Sequence, residues 1–396
     1  MYCTQRIWPV LGLALAILTP VIEAGTIRVP ADQPTIQAAI NAAVNGDEVL
    51  VAAGSYNEVI NFLGKAITVQ SEDGPSVTTI SGAGKGDAVV SFLTGEGRDS
   101  VIEGFTLRDG IGNNTLFPGS RNGGGIIIST ASPTVNECIV TANSTNSAGG
   151  GVAVHFSGEP VFSNCIFLAN TAAFAGGAVA MNNSAPTFVN CLFNGNQVNN
   201  QGGAIQSFLS RPTFTNCSVI NNTGGDGGGI WISGPDVITI VNCIFWANND
   251  NGVDVSAAQV FIDIGAPVVL FSDVMGGWSG AGHGNISSDP MFADLDGVDN
   301  SPGNADDDLR LLAGSPAIDA GISMDEPDAD LDGNMRIVDD PASMDTGVGN
   351  PVVIDMGTYE FGSTLLPDPC PADTNGDGNV NVTDLLALLA AWGACP

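Results

Sequence analysis

The chain has 396 residues, 52 of them glycine and only 6% aromatic, so it offers either two or three ordinary domains or one long repeat array, and the glycine content favours the array. Forty-two Asp and Glu against ten Lys and Arg leave a formal charge of −32. That balance excludes a basic footprint for nucleic acid or anionic lipid, and makes direct contact with an acidic polymer depend on a divalent cation. With 13% charged and 44% apolar residues, wholesale disorder is excluded as well, and a large core is available.

Residues 1–24 read as an export signal, with Arg6 ahead of an apolar run over 10–22 and the small residue Ala24 at a cleavage point. The run is short for a membrane span, which needs about 20 residues. The mature chain, lacking a transmembrane segment, is therefore expected outside the cytoplasm, in the extracellular space or at the cell surface. Next, residues 35–43 place Ile36, Ala39, Ile40 and Ala43 at helical spacing behind Thr35, a candidate N-cap. A short helix here is expected to plug the open end of whatever strands follow. Apolar runs at 49–52, 67–70, 89–93 and 101–107 supply less regular strands.

From residue 123 the pattern tightens. Cys138, Cys165, Cys191, Cys217 and Cys243 are spaced by 26 or 27 residues, and five residues after each stands an asparagine: Asn143, Asn170, Asn196, Asn222 and Asn248. Paired or tripled glycines open each unit, followed by an apolar strand, a proline turn and a second strand. So short a unit without helical periodicity cannot bury its apolar face alone, so the units must stack. In-register stacking about 4.8 Å apart turns each column into a row. The expected fold is all-β: a right-handed parallel β-helix over 25–275, of about ten coils and near 50 Å long. The cysteines read as a structural core column, because free cysteine packs as a small hydrophobe. The asparagines bond their own backbone or the next rung.

Within the coils, catalytic residue types are sparse. Arg121 and Arg211 have no clustered acids near them in sequence. Gly282-His283-Gly284 reads as a loop, His155 as a surface residue, and Glu137 and Glu159 lie in neighbouring coils where they could face one another.

The acid is concentrated late: residues 261–396 hold 24 Asp and Glu against Arg310 and Arg336, so −22 of the −32 lies there. Residues 276–363 read as acidic irregular coils capping the helix. Within them Asp328, Asp330 and Asp332, ahead of Gly333 and with Asp339, repeat a calcium-loop spacing, either a second metal site or a solvated acidic face. Then Asp373, Asn375, Asp377, Asn379, Asn381 and Asp384 fall at positions 1, 3, 5, 7, 9 and 12 of a twelve-residue calcium loop with Gly378 at 6, and an apolar helix over 385–392 follows. Calcium is the implied cofactor. Cys370 and Cys395 enclose this module and are expected to pair, as exported thiols do, restricting the unfolded chain by about 3 to 3.5 kcal/mol.

Three family resemblances follow from these residues, two of the coils and one of the C-terminal module. The sequences Gly176-Gly177-Ala178-Val179 and Gly202-Gly203-Ala204-Ile205, paired with Phe167 to Asn170 and Phe193 to Asn196, resemble the repeat of polymorphic outer-membrane adhesins. The opening stretch 35–56 resembles the start of secreted β-helix proteins related to pectate lyases, and Ser315 to Gly321 with Asp355 to Glu360 resembles their closing segments. The module at 364–396 resembles a single-loop dockerin, which implies a cohesin-like docking partner. Together these imply a secreted or displayed β-helix that binds a carbohydrate or cell-surface polymer, or alternatively a polysaccharide lyase or glycoside hydrolase; a structural surface-layer protein is a third reading. Whether the chain is an enzyme stays open at this stage, since one scaffold hosts all three.

Overall fold

A computed structural model describes residues 24–250, 255–323, 329–349 and 352–364. The calcium-loop module, with Asp373, Asn375, Asp377, Asn379, Asn381, Asp384, Cys370 and Cys395, lies outside the described residues, as do the export segment and Asp328.

The fold is a right-handed parallel β-solenoid of about nine turns. Its first sheet has ten strands, from Thr26–Val29 to Val268–Leu270; the second has eight, from Ile60–Asn61 to Val260–Ile264; the third has nine, from Gly54–Asn57 to Asp273–Val274. Ten strands in one sheet enclose nine turns, which accounts for the difference from the ten coils estimated by length. Neighbouring rungs are parallel and in register, as where Val135, Phe162, Phe188, Phe214 and Ile240 align along the first sheet. Register follows from burial: a slip of one residue would turn a whole inward column outward.

The rung spacing sets the core packing. Phe162, Phe188 and Phe214 stack at 4.9 and 5.0 Å with rings within 8° of parallel, and Phe167 stacks on Phe193 at 4.7 Å. Cys138, Cys165, Cys191, Cys217 and Cys243 are free thiols, fully buried in the same core. Beside them runs the row of Asn143, Asn170, Asn196, Asn222 and Asn248, in which each Oδ1 accepts from the preceding rung's backbone N–H at 2.9–3.1 Å. Each Nδ2 donates to a carbonyl of the preceding coil, such as Asn196 to Phe167 at 2.8 Å. Gln259 continues the row where the asparagines stop, its Oε1 accepting from Asn248 Nδ2 at 2.7 Å. Directly before each cysteine, Glu137, Asn164, Asn190, Asn216 and Asn242 adopt left-handed backbone, with φ between 49° and 53°.

The helix Ile36–Ala42 starts at Thr35, whose side chain accepts from the Ala38 N–H, and buries Ile36, Ala39 and Ile40 against the first coil. Among the described residues no helix is long and apolar enough to cross a membrane.

The acidic region departs from the capping coils expected of it. Only its first part extends the stack, Ala281 bridging Val268 and Ile286 bridging Asp273. The chain then turns back along the outer face of the third sheet. Leu309, Phe292, Leu295 and Tyr359 pack on Leu192 and Ile220, while Ile318, Ala320 and Met356 pack on Ile244. Thr358 N–H donates to Ser218 Oγ at 3.1 Å, and Asn242 holds Ile322 through bonds of 2.8 and 3.0 Å. The physical reason is the outward-facing apolar set of Ile166, Leu192 and Ile244 in one column and Ile220 and Trp246 in the next, which the returning segment covers. Such a set on the outside of a sheet needs a cover.

Candidate functional site

The second sheet is left to form a groove. Within its strands Val152–His155, Val179–Asn182, Ile205–Phe208 and Ile230–Ser233, alternate residues point outward in two registered columns: Ala153, Ala180, Gln206, Trp231 and His155, Asn182, Phe208, Ser233. Alanines in the middle of the first column leave a depression between larger neighbours. The loop carrying Phe117 closes one end, packing Leu116 over Ile127 and Ala153. Turns of the short sheet Ser144–Thr145, Thr171–Ala172 and Gln197–Val198 raise one wall and contribute Ser147, Phe174 and Gln201. The result is a groove of about 560 Å³, in the size range of small-molecule and oligomer sites, about 300–1,000 Å³.

Its chemistry is aromatic and amide. Phe174 and Phe208 are 55% and 36% exposed and so offer ring faces to a ligand, whereas Trp231 is buried in the floor. Asn182, Gln201 and Gln206 supply paired donors and acceptors, and Ser233 Oγ donates to Asp263 at 2.9 Å. No lysine or arginine is among the described residues that line it.

His155 corrects the surface position expected from sequence. It is 5% exposed, set edge-on to Phe117 at 5.3 Å, and neither ring nitrogen has a hydrogen-bond partner. Burial pulls its pKa down to about 4, so the imidazole is neutral near pH 7, with one nitrogen donating and one accepting.

Other sequence candidates scatter. Glu159 lies 3.8 Å from Arg211 and does not face Glu137. Glu137 instead neighbours Glu103, whose carboxyl is raised by burial first and by the Glu137 charge second. Arg121 is spent on the carbonyls of Gly86 and Gly112. His283 packs edge-on to Phe271 at 5.2 Å in the partial last rung. The aspartate set Asp328, Asp330, Asp332 and Asp339 does not converge in its described members. Asp330 accepts the N–H groups of Asp332, Asn334 and Glu360, and Asp332 takes both a 2.7 and a 2.8 Å bond from Arg310. Asp339 sits instead with Asp319 and Asp345. The reason is competition: Asx turns and an arginine satisfy Asp330 and Asp332 locally.

The last strand of the third sheet also buries an acid. Asp273 is wholly buried, and burial pushes its pKa up to about 7, the Ser288 N–H opposing and Asp289 adding to the rise. The folded state thus holds a proton that the unfolded state loses near pH 4, and stability falls as pH rises through about 7. Asp273→Asn is therefore expected to stabilise the protein by roughly 1–3 kcal/mol at pH 8 and to have little effect below about pH 4, where the carboxyl is protonated in both states. Urea midpoints at the two pH values check this; equal shifts at both would show that ionisation is not the cost.

The family model described as "right handed beta helix region" matches residues 96–262. Among solved structures, the crystal structure of pectate lyase Pel9A is similar at 13% identity, with 85% of this chain and 96% of that one covered and a TM-score of 0.47. A pectin methylesterase from Aspergillus niger is similar at 14% identity over 68% and 86% of the two chains, TM-score 0.36, and Escherichia coli ybhc at 14% over 78% and 84%, TM-score 0.35. These likenesses concern the fold. No curated protein matches the sequence.

Proposed function

We propose that the protein is a secreted or surface-displayed glycan-binding β-helix, which holds a neutral polysaccharide chain along the groove of its second sheet and is tethered by its C-terminal calcium-loop module. The observation that carries this reading is the combination of exposed aromatic faces and amides in one depression. Sugars present apolar C–H faces that stack on rings and hydroxyls that both donate and accept, which is the complement of this lining. Rungs repeat about every 4.8 Å, comparable with one sugar ring, so a chain lying along the solenoid axis meets equivalent positions in turn. The absence of Lys and Arg among the described lining residues favours a neutral glycan over a polyuronate. A polysaccharide lyase with a lysine or arginine base would also need that cation at the reacting carbon, which the described lining does not offer. The export segment and the loop of Asp373 to Asp384 support delivery outside the cell and docking onto a partner.

Affinity electrophoresis in gels containing neutral or acidic polysaccharides tests the reading. Retardation by a neutral polymer, weakened about tenfold in Phe208→Ala, is the expected result. Phe208 is partly exposed, so the fold should be retained. Binding unaffected by Phe208→Ala and Phe174→Ala, or unsaturated sugar released from pectin or alginate, would sink it.

A further inference from the structure

We propose that Asp319, Asp339 and Asp345 form a calcium site that clips the returning acidic segment onto itself, independent of the groove and of the loop at 373–384. One carboxylate oxygen from each residue lies within 4.8 Å of the other two. Oxygens bound to one calcium at about 2.3–2.6 Å can be at most about 5 Å apart, so this set closes around a single ion. A second observation separates the site from an ordinary acidic patch. Asp319 is wholly buried, yet neither of its carboxylate oxygens has a hydrogen-bond partner among the described residues.

The backbone explains why Asp319 is held there. Its N–H donates to Asp355 Oδ1 at 2.8 Å, and its carbonyl accepts from Thr346 and Gly347 at 2.9 and 3.1 Å. These bonds bring Asp345 beside Asp319 across 26 residues of chain. Among the described residues no cation is paired with the three charges. Arg336, the only base between 311 and 364, is buried against the carbonyls of Asp355 and Gly357 and lies 3.6 Å from Glu360. Burial, then the neighbouring Asp339 charge, pushes the Asp319 carboxyl up to about 6, the mark of a desolvated carboxylate short of positive charge.

The donor set selects the ion. Three carboxylates without histidine or cysteine suit a hard cation, and two exposed members leave room for the waters and carbonyls that complete a coordination of six to eight. Magnesium demands tighter octahedral geometry, and zinc prefers nitrogen and sulfur.

The test uses the full-length chain, stripped with chelator and dialysed against radioactive calcium. Asp319→Asn and Asp345→Asn are each expected to lower the bound stoichiometry by one, and to do so equally in an Asp377→Asn background that disables the separate loop. Asp345 is exposed, so its variant keeps the fold, as circular dichroism would show. Calcium is also expected to slow proteolysis between residues 338 and 346 in the wild type and not in either variant. Unchanged stoichiometry in Asp345→Asn, or loss confined to Asp377→Asn, would overturn the site without touching the glycan reading.

Discussion

Replacing Asn196 by leucine is expected to cost about 3–5 kcal/mol, although the two side chains are close in volume. The side chain is wholly buried and serves both sides of its rung. Its Oδ1 takes the Asn170 N–H at 3.0 Å and Asn170 Nδ2 at 3.0 Å, and its Nδ2 reaches the Phe167 and Asn194 carbonyls and Asn222 Oδ1. Leucine leaves the Asn170 N–H without a partner inside a dry core and takes one partner each from Asn170 Nδ2, the Phe167 carbonyl and Asn222 Oδ1. At about 1–3 kcal/mol for each unsatisfied group, that loss outweighs the apolar transfer gained. Neighbouring amides are coupled through the row, so its ends should respond too. Urea unfolding followed by circular dichroism measures the cost, and hydrogen exchange locates it; a loss below 1 kcal/mol would mean that the row is decoration. In a stacked repeat the transition can split into stages, and an early loosening centred on rungs 170–222 is expected.

Gly177→Ala is expected to cost about 3 kcal/mol or more, the upper range for overpacking. Its φ is not in the left-handed region, so the penalty is steric. An added Cβ would overlap the Gly203 carbonyl oxygen of the next rung and the backbone of Gln197. The same overlap recurs in register at Gly124, Gly150, Gly203 and Gly228, each against the backbone of the following coil. Backbone on both sides cannot rotate away as a side chain can, so the rungs must part locally. Gly97→Ala is the control, since its Cβ would meet nothing within 4 Å. It is expected to stay within about 0.5 kcal/mol of wild type. Equal unfolding midpoints for the two variants would reject close rung-to-rung approach as the reason for the glycine column.

Both variants test features legible in the sequence. The 26-residue spacing of Cys138 to Cys243 and the invariant offset to Asn143 through Asn248 state the rung length and two columns outright, because parallel stacking makes periodicity in sequence into adjacency in space. The groove was hidden for the converse reason. Ala153, Ala180 and His155 occupy outward positions of strands whose inward neighbours are Val152, Val154 and Val179, and short apolar runs look alike whether one or both faces are covered. Strict alternation from the inward valines was the signal that could have placed His155 on the groove side. Phe174 and Phe208 carry no such signal, since one lies in a turn and the other follows an inward serine, Ser207, that breaks the apolar alternation.

Sequence by itself determined the solenoid, its rung length, its buried columns and the uneven distribution of charge, since each follows from local repetition. Tertiary structure alone decided where the acidic segment goes and which acids meet. The outward apolar set of Leu192, Ile220 and Ile244 draws that segment back along the third sheet, and the returning chain sets Asp319 beside Asp339 and Asp345 rather than Asp339 beside Asp330 and Asp332. Such contacts depend on chain reversal over tens of residues, where spacing in sequence no longer measures distance in space.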